Sequence, residues 1–94
     1  MFDINAVYSE EKVSSTLKGE NTAQKKLYAL GELKKLMPGV PFKLDGISSV
    51  SRDHICIDVL HLDDTLNVPG GTSLAQHIYD KYGERAAILT RYLI

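Results

Sequence analysis

His54, Cys56 and Asp58 alternate along one short stretch, and His61, Asp63 and Asp64 follow directly. Alternate residues of a strand share a face, so the first three side chains would lie within mutual reach. Imidazole, thiolate and carboxylate are zinc-ligand types, and an imidazole beside a thiol can generate a reactive thiolate. A structural zinc site normally takes four ligands, and no Cys-x-x-Cys or His-x-x-x-His pair accompanies these three. A nucleophilic Cys usually draws its His from elsewhere in the chain, and His61 and His77 are the candidates. His61 with Asp63 and Asp64 has the groups to bind a divalent cation or transfer protons. Against both chemistries, Cys often serves as a small buried apolar residue. Adjacent Asp residues after a strand usually end its pairing in solvent. No catalytic residue, metal ligand or cofactor is therefore assigned, and an enzyme is disfavoured.

A second set of residues suits an anion. Pro69-Gly70-Gly71-Thr72-Ser73 leads into a helical pattern, where backbone N–H groups and the helix dipole favour a phosphate or carboxylate. The run matches neither the G-x-x-x-x-G-K-[ST] loop nor the G-x-G-x-x-G fingerprint. Lys18, Lys25, Lys26 and Tyr28 are placed to contact phosphates and stack a base. Lys25, Lys26, Gly70, Gly71, Thr72 and Ser73 are thus the expected residues of a nucleotide or nucleic-acid site. Lys34 and Lys35 fall nearly opposite Lys25 and Lys26 at about 100° per residue, which flanks an apolar stripe and makes no compact patch. Ser73 to Tyr92 reads helix–Gly–helix, but the second segment is mostly Ala, Ile and Leu, poor in groups that read bases.

Protein contact is the stronger expectation. The chain has five Tyr and no Trp, and Tyr favours interfaces because its ring buries area while its hydroxyl keeps a polar partner. Tyr28 and Tyr79 fall off the main apolar stripes. Asp45, Asp53, Asp58, Asp63 and Asp64 make the middle of the chain acidic, while Lys25, Lys26, Lys34 and Lys35 make one helix basic. Opposite patches on one small protein suit head-to-tail contacts or a charged partner. Tyr28, Tyr79, Asp58, Asp63 and Asp64 are the expected partner-binding residues.

Several elements must position these groups. Ser9-Glu10-Glu11 opens a helix with a capping residue and first-turn acids, and Gly19 fits its end. Asn21 with Gln24 resembles a capping box. Ala23, Leu27, Leu30, Leu33 and Met37 then recur at helical spacing up to Met37-Pro38-Gly39. The two segments form an αα-hairpin or one kinked helix. Asp45-Gly46, between Val40–Leu44 and Ile47–Val50, predicts a type I′ hairpin. Ser51-Arg52-Asp53 turns into the longest strand, in which Ile55, Ile57 and Val59 alternate with polar residues. Pro41 suits an edge strand. Thr65 to Gly71 reads as a loop. Ser73 with Gln76 caps a helix bearing Leu74, Ile78 and Tyr82, ended by Gly83. Glu84 to Ile94 is a helix, or alternatively a strand.

The expected fold is α+β: an N-terminal helical hairpin, a three-stranded antiparallel meander and two C-terminal helices, in a single domain spanning residues 1–94. The 94 residues carry 11 Lys and Arg against 12 Asp and Glu, which disfavours a dedicated nucleic-acid or membrane protein. One Cys excludes an internal disulfide framework and fits a reducing compartment. No apolar run reaches bilayer length, and residues 1–11 lack a basic region followed by an apolar one. Cytoplasm is the expected location. A domain this small buries a modest core, so self-association is expected. The resulting expectation is a small non-catalytic binding protein, a regulator or inhibitor of prokaryotic or phage type. It would act through protein–protein contacts or as a homo-oligomer, with nucleotide or nucleic-acid binding as the alternative.

Overall fold

The computed structural model describes residue 6 and residues 8–44 and 55–94. Among these residues the chain forms five helices and no strand: α1 Glu10–Thr16, α2 Thr22–Leu36, α3 Val59–Leu66, α4 Leu74–Tyr82 and α5 Glu84–Leu93.

Local chemistry sets most helix boundaries. Ser9 caps α1 by accepting the Lys12 N–H on Oγ at 3.2 Å, with Glu10 and Glu11 in the first turn. Asn21 Oδ1 caps α2 by accepting the Gln24 N–H at 2.9 Å. Gln24 Oε1 returns to the Glu20 N–H at 2.7 Å, one residue before the usual capping-box partner. Ser73 Oγ accepts the Gln76 N–H at 3.1 Å and opens α4. Gly83, at φ 103°, separates α4 from α5. Gly19 lies at φ 145° between α1 and α2, where a Cβ would stand 2.9 Å from both Gln24 Cβ and the Lys25 nitrogen. Only glycine fits that crossing.

The centre of the molecule is α5. Ala86 through Thr90 and Leu93 are all buried. The one polar side chain among them, Thr90, is satisfied internally, donating from Oγ1 to the Ala86 carbonyl at 2.8 Å. Against α5 pack α4 and α2 most extensively and α1 less so, while α3 leans on α4. The expected αα-hairpin is therefore corrected in one respect: α1 and α2 pack on α5 more than on each other.

The expected α+β class with a three-stranded meander is overturned. Among the described residues only Leu44 and Ile57 pair, as an isolated antiparallel bridge. Ile55 and Ile57 are buried in the core as the alternation requires, but the extended run stops at Asp58. There the carboxylate accepts the His61 N–H at 3.0 Å and starts a helix. Leu62 and Leu66 follow on one helical face, both buried, so helical spacing takes over where the period-two pattern was expected to continue. The loop expected from Thr65 shortens accordingly, with α3 ending at Leu66 and Asn67 adopting a left-handed φ of 53°. The hairpin expected at Asp45-Gly46, the strand at Ile47–Val50, the turn at Ser51-Arg52-Asp53, and His54 lie outside the described residues.

Candidate partner-docking surface

Of the residues singled out for chemistry, those that are described do not converge. Cys56 is a half-buried free thiol between two core isoleucines. Asp58 spends its carboxylate on the α3 cap. His61 points to a different task, with Nε2 donating to the Pro41 carbonyl at 2.8 Å and Thr65 Oγ1 at 3.4 Å from the same nitrogen. With the Asp58 N–H donating to the Lys43 carbonyl at 2.8 Å, this contact fastens residues 41–44 along the start of α3. Among the described residues no group of three His, Cys, Asp or Glu side chains could hold a metal ion. His77 Nε2, on α4, is buried with no hydrogen-bond partner among the described residues.

The expected anion residues fall on separate elements. Thr72 N–H donates to the Pro69 carbonyl at 3.1 Å and closes the Gly70-Gly71 turn, with Gly71 at φ 84°. Ser73 is committed to Gln76 as the α4 cap. Lys25 is half-buried and lines an open cleft of about 420 Å³ with Tyr8, Ser9, Glu10, Val13 and Ser14. Lys26 is also half-buried. The helices carrying these two groups, α2 and α4, meet through α5 and share little direct contact.

The expected contact tyrosines are half-buried. Tyr28 packs against the core, and its hydroxyl accepts from Arg85 Nη2 at 2.9 Å. Arg85 also lies 3.7 Å from Glu32, so the pair ties α2 to α5. Tyr79 lies within α4 and lends its carbonyl to the Gly83 N–H. Tyr8 carries the Arg91 guanidinium 5.3 Å from its ring centroid. Burial pushes the Tyr8 phenol above its ordinary pKa, with Arg91 opposing the shift and Tyr92 adding to it.

One surface stands apart, on α3. Leu62 and Leu66 face the core, and the opposite side presents Leu60 and Asp64, one turn apart, with Asp63 half-buried beside them. Leu60 is 77% exposed, well beyond the other large hydrophobics among the described residues. The helix carries no Lys or Arg. Asp63 and Asp64 occupy its last turn, where the macrodipole is negative and carboxylates are unfavourable. Among the described residues neither makes an ion pair. An aliphatic side chain in water and two carboxylates at the wrong end of a helix are costs to the isolated domain, and both are relieved by a partner that brings an apolar contact and positive charge.

The sequence expectation names Asp63 and Asp64 and leaves out Leu60, which it puts at the end of a strand. The available signal was the spacing Val59–Leu62–Leu66 after a capping Asp, which leaves Leu60 on the other side. Leu27 was also misplaced. The spacing puts it in the apolar stripe of α2, yet it is 40% exposed, while Ala29, Leu33 and Met37 are buried.

Among the described residues no helix is long and apolar enough to cross a membrane. No protein-family model matches the chain, and no curated protein or solved structure matches it either.

Proposed function

We propose that this is a non-catalytic protein-binding domain, of the regulator or inhibitor class, whose working surface is the outward face of α3. The observation that carries the reading is Leu60, exposed on a helix whose neighbouring charges are both negative. Interface centres favour an apolar anchor ringed by polar groups, and Leu60 with Asp63 and Asp64 has that layout. The partner's complementary feature is a small apolar recess or side chain flanked by Lys or Arg. A cytoplasmic setting belongs to the same reading, because the lone Cys suits a reducing compartment.

Site-specific crosslinking tests it. A photoreactive residue in place of Leu60 is expected to give a discrete protein adduct in the source cells. The adduct should disappear when Asp63→Lys and Asp64→Lys are added. An adduct yield no greater than that from the same residue at exposed Glu11 would overturn the proposal.

A further inference from the structure

The exposed face of α2 complements the face of α3. Leu27, Gly31, Lys34 and Lys35 stand at positions i, i+4, i+7 and i+8, within a stripe about 100° wide, and all four are exposed. Gly31 lies inside a 15-residue helix. A Cβ there would meet nothing within 4 Å, so no intramolecular packing calls for a glycine that weakens the helix relative to alanine. A missing side chain on an exposed stripe leaves a shallow notch, flanked on one side by an aliphatic residue and on the other by two cations.

We infer that this notch receives the Leu60 face of α3 from a second copy of the chain. The inference rests on the proposed docking role of α3 and names an occupant for it. The match has three parts. Leu60 has an apolar counterpart in Leu27 and room at Gly31. Asp63 and Asp64, three and four residues beyond Leu60, have counterparts in Lys34 and Lys35, three and four residues beyond Gly31. Within one molecule these charges do not neutralise each other: Lys35 lies 3.8 Å from Glu32 of its own helix, and no ion pair joins Lys34 or Lys35 to α3. A single contact of this kind is head-to-tail and leaves one free face on each copy, α2 on one and α3 on the other, from which rings or chains grow, whereas two copies that exchange both contacts close a symmetric dimer.

Sedimentation equilibrium on the full chain tests this. Wild-type protein is expected to associate at concentrations on the order of 100 µM, and to dissociate in about 0.5 M NaCl, where screening reaches within a few Å. Asp63→Lys with Asp64→Lys in one variant, and Lys34→Glu with Lys35→Glu in another, should each weaken association by about tenfold or more. Mixing the two variants should restore it, since every α3 then meets an α2 of opposite charge. Gly31→Gln fills the notch without touching the core and should weaken wild-type association as strongly, as should Leu60→Gln. These two separate a seated contact from general attraction between oppositely charged proteins. Association that persists through both charge reversals, or through Gly31→Gln, overturns the inference. A wild-type chain that stays monomeric also overturns it, but if residue 60 still crosslinks to a different protein the docking role of α3 stands.

Discussion

Neutralising Asp63 and Asp64 should make the isolated domain more stable. Both residues lie in the last turn of α3, which has no basic residue there. Their carbonyls already receive the Val68 N–H at 3.1 Å and the Asn67 N–H at 3.3 Å, so the helix end is closed by backbone and the carboxylates add only charge. A carboxylate at that end of a helix is unfavourable by about 0.3–1 kcal/mol at an exposed position and low ionic strength. Asn has nearly the helix propensity of Asp and the same shape, so Asp63→Asn with Asp64→Asn isolates the electrostatic effect. Asp63 is half-buried and Asp64 exposed, so the two together, at about 0.6–2 kcal/mol, favour a combined gain of about 1 kcal/mol. For a domain of this size that raises Tm by about 4–8 °C. Thermal unfolding followed by far-UV circular dichroism measures it. Dilute protein at low salt keeps self-association out of the comparison. Repeating the melt at about 1 M salt, where the Debye length is about 3 Å, should erase most of the difference. An unchanged or lower Tm at low salt would refute the reasoning, because it would mean the carboxylates have favourable partners inside the molecule. A gain in stability joined to a loss of docking is what a surface kept for binding should show.

Other substitutions test the framework behind that surface. Gly19→Ala combines a φ of 145° with a 2.9 Å approach to the Lys25 nitrogen, and should cost about 2 kcal/mol or more in chemical denaturation; a loss below half that would mean the α1–α2 crossing is looser than described. His77→Leu removes a buried ring nitrogen that has no partner and should be neutral or stabilising by about 1 kcal/mol, whereas a large loss would reveal a bond to His77. The Tyr8 phenol should titrate above its ordinary pKa of 10.0 and higher still in Arg91→Gln, because removing the guanidinium leaves burial unopposed. A raised folded pKa means the stability Tyr8 contributes is complete below the unfolded value and declines as pH climbs through the folded one. Phenolate absorbance of wild type and variant reads the shift, and a lower value in Arg91→Gln would show that the pairing is misjudged.

The features legible in the sequence were those decided by groups close along the chain. Ser9, Asn21 and Ser73 each bond a backbone N–H three residues on, so residue type and spacing located three helix starts without knowledge of the fold. Gly83 and Pro38-Gly39 marked helix ends for the same local reason. The segment from Ile55 into α3 satisfies two patterns at once. Ile55 and Ile57 alternate like a strand, and Asp58 with Leu62 and Leu66 reads as a capped helix. The choice rests with tertiary contacts: the Ile57 N–H donates to the Leu93 carbonyl at 3.1 Å, at the far end of the chain. Ala23, Leu27, Leu30, Leu33 and Met37 satisfy helical spacing whether or not each faces the core. The buried face of α2 runs through Ala29, a small residue that lets α2 approach its neighbours closely. Of the candidate site, the charges were visible and their setting was not. Asp63 and Asp64 signify little on a strand end, but on α3 they flank an exposed Leu60.

The most direct test of α3 as the working surface is methyl NMR with a soluble paramagnetic agent, run on dilute and on concentrated protein. In the dilute sample the Leu60 methyls should relax fastest among the leucines, with Leu62 and Leu66 nearly untouched. On concentration, Leu60 and Leu27 should become protected together while Leu44, also exposed, does not. Leu60 methyls as shielded as those of Leu62 in the dilute chain would show that the outward face of α3 is covered within the molecule and is no docking surface.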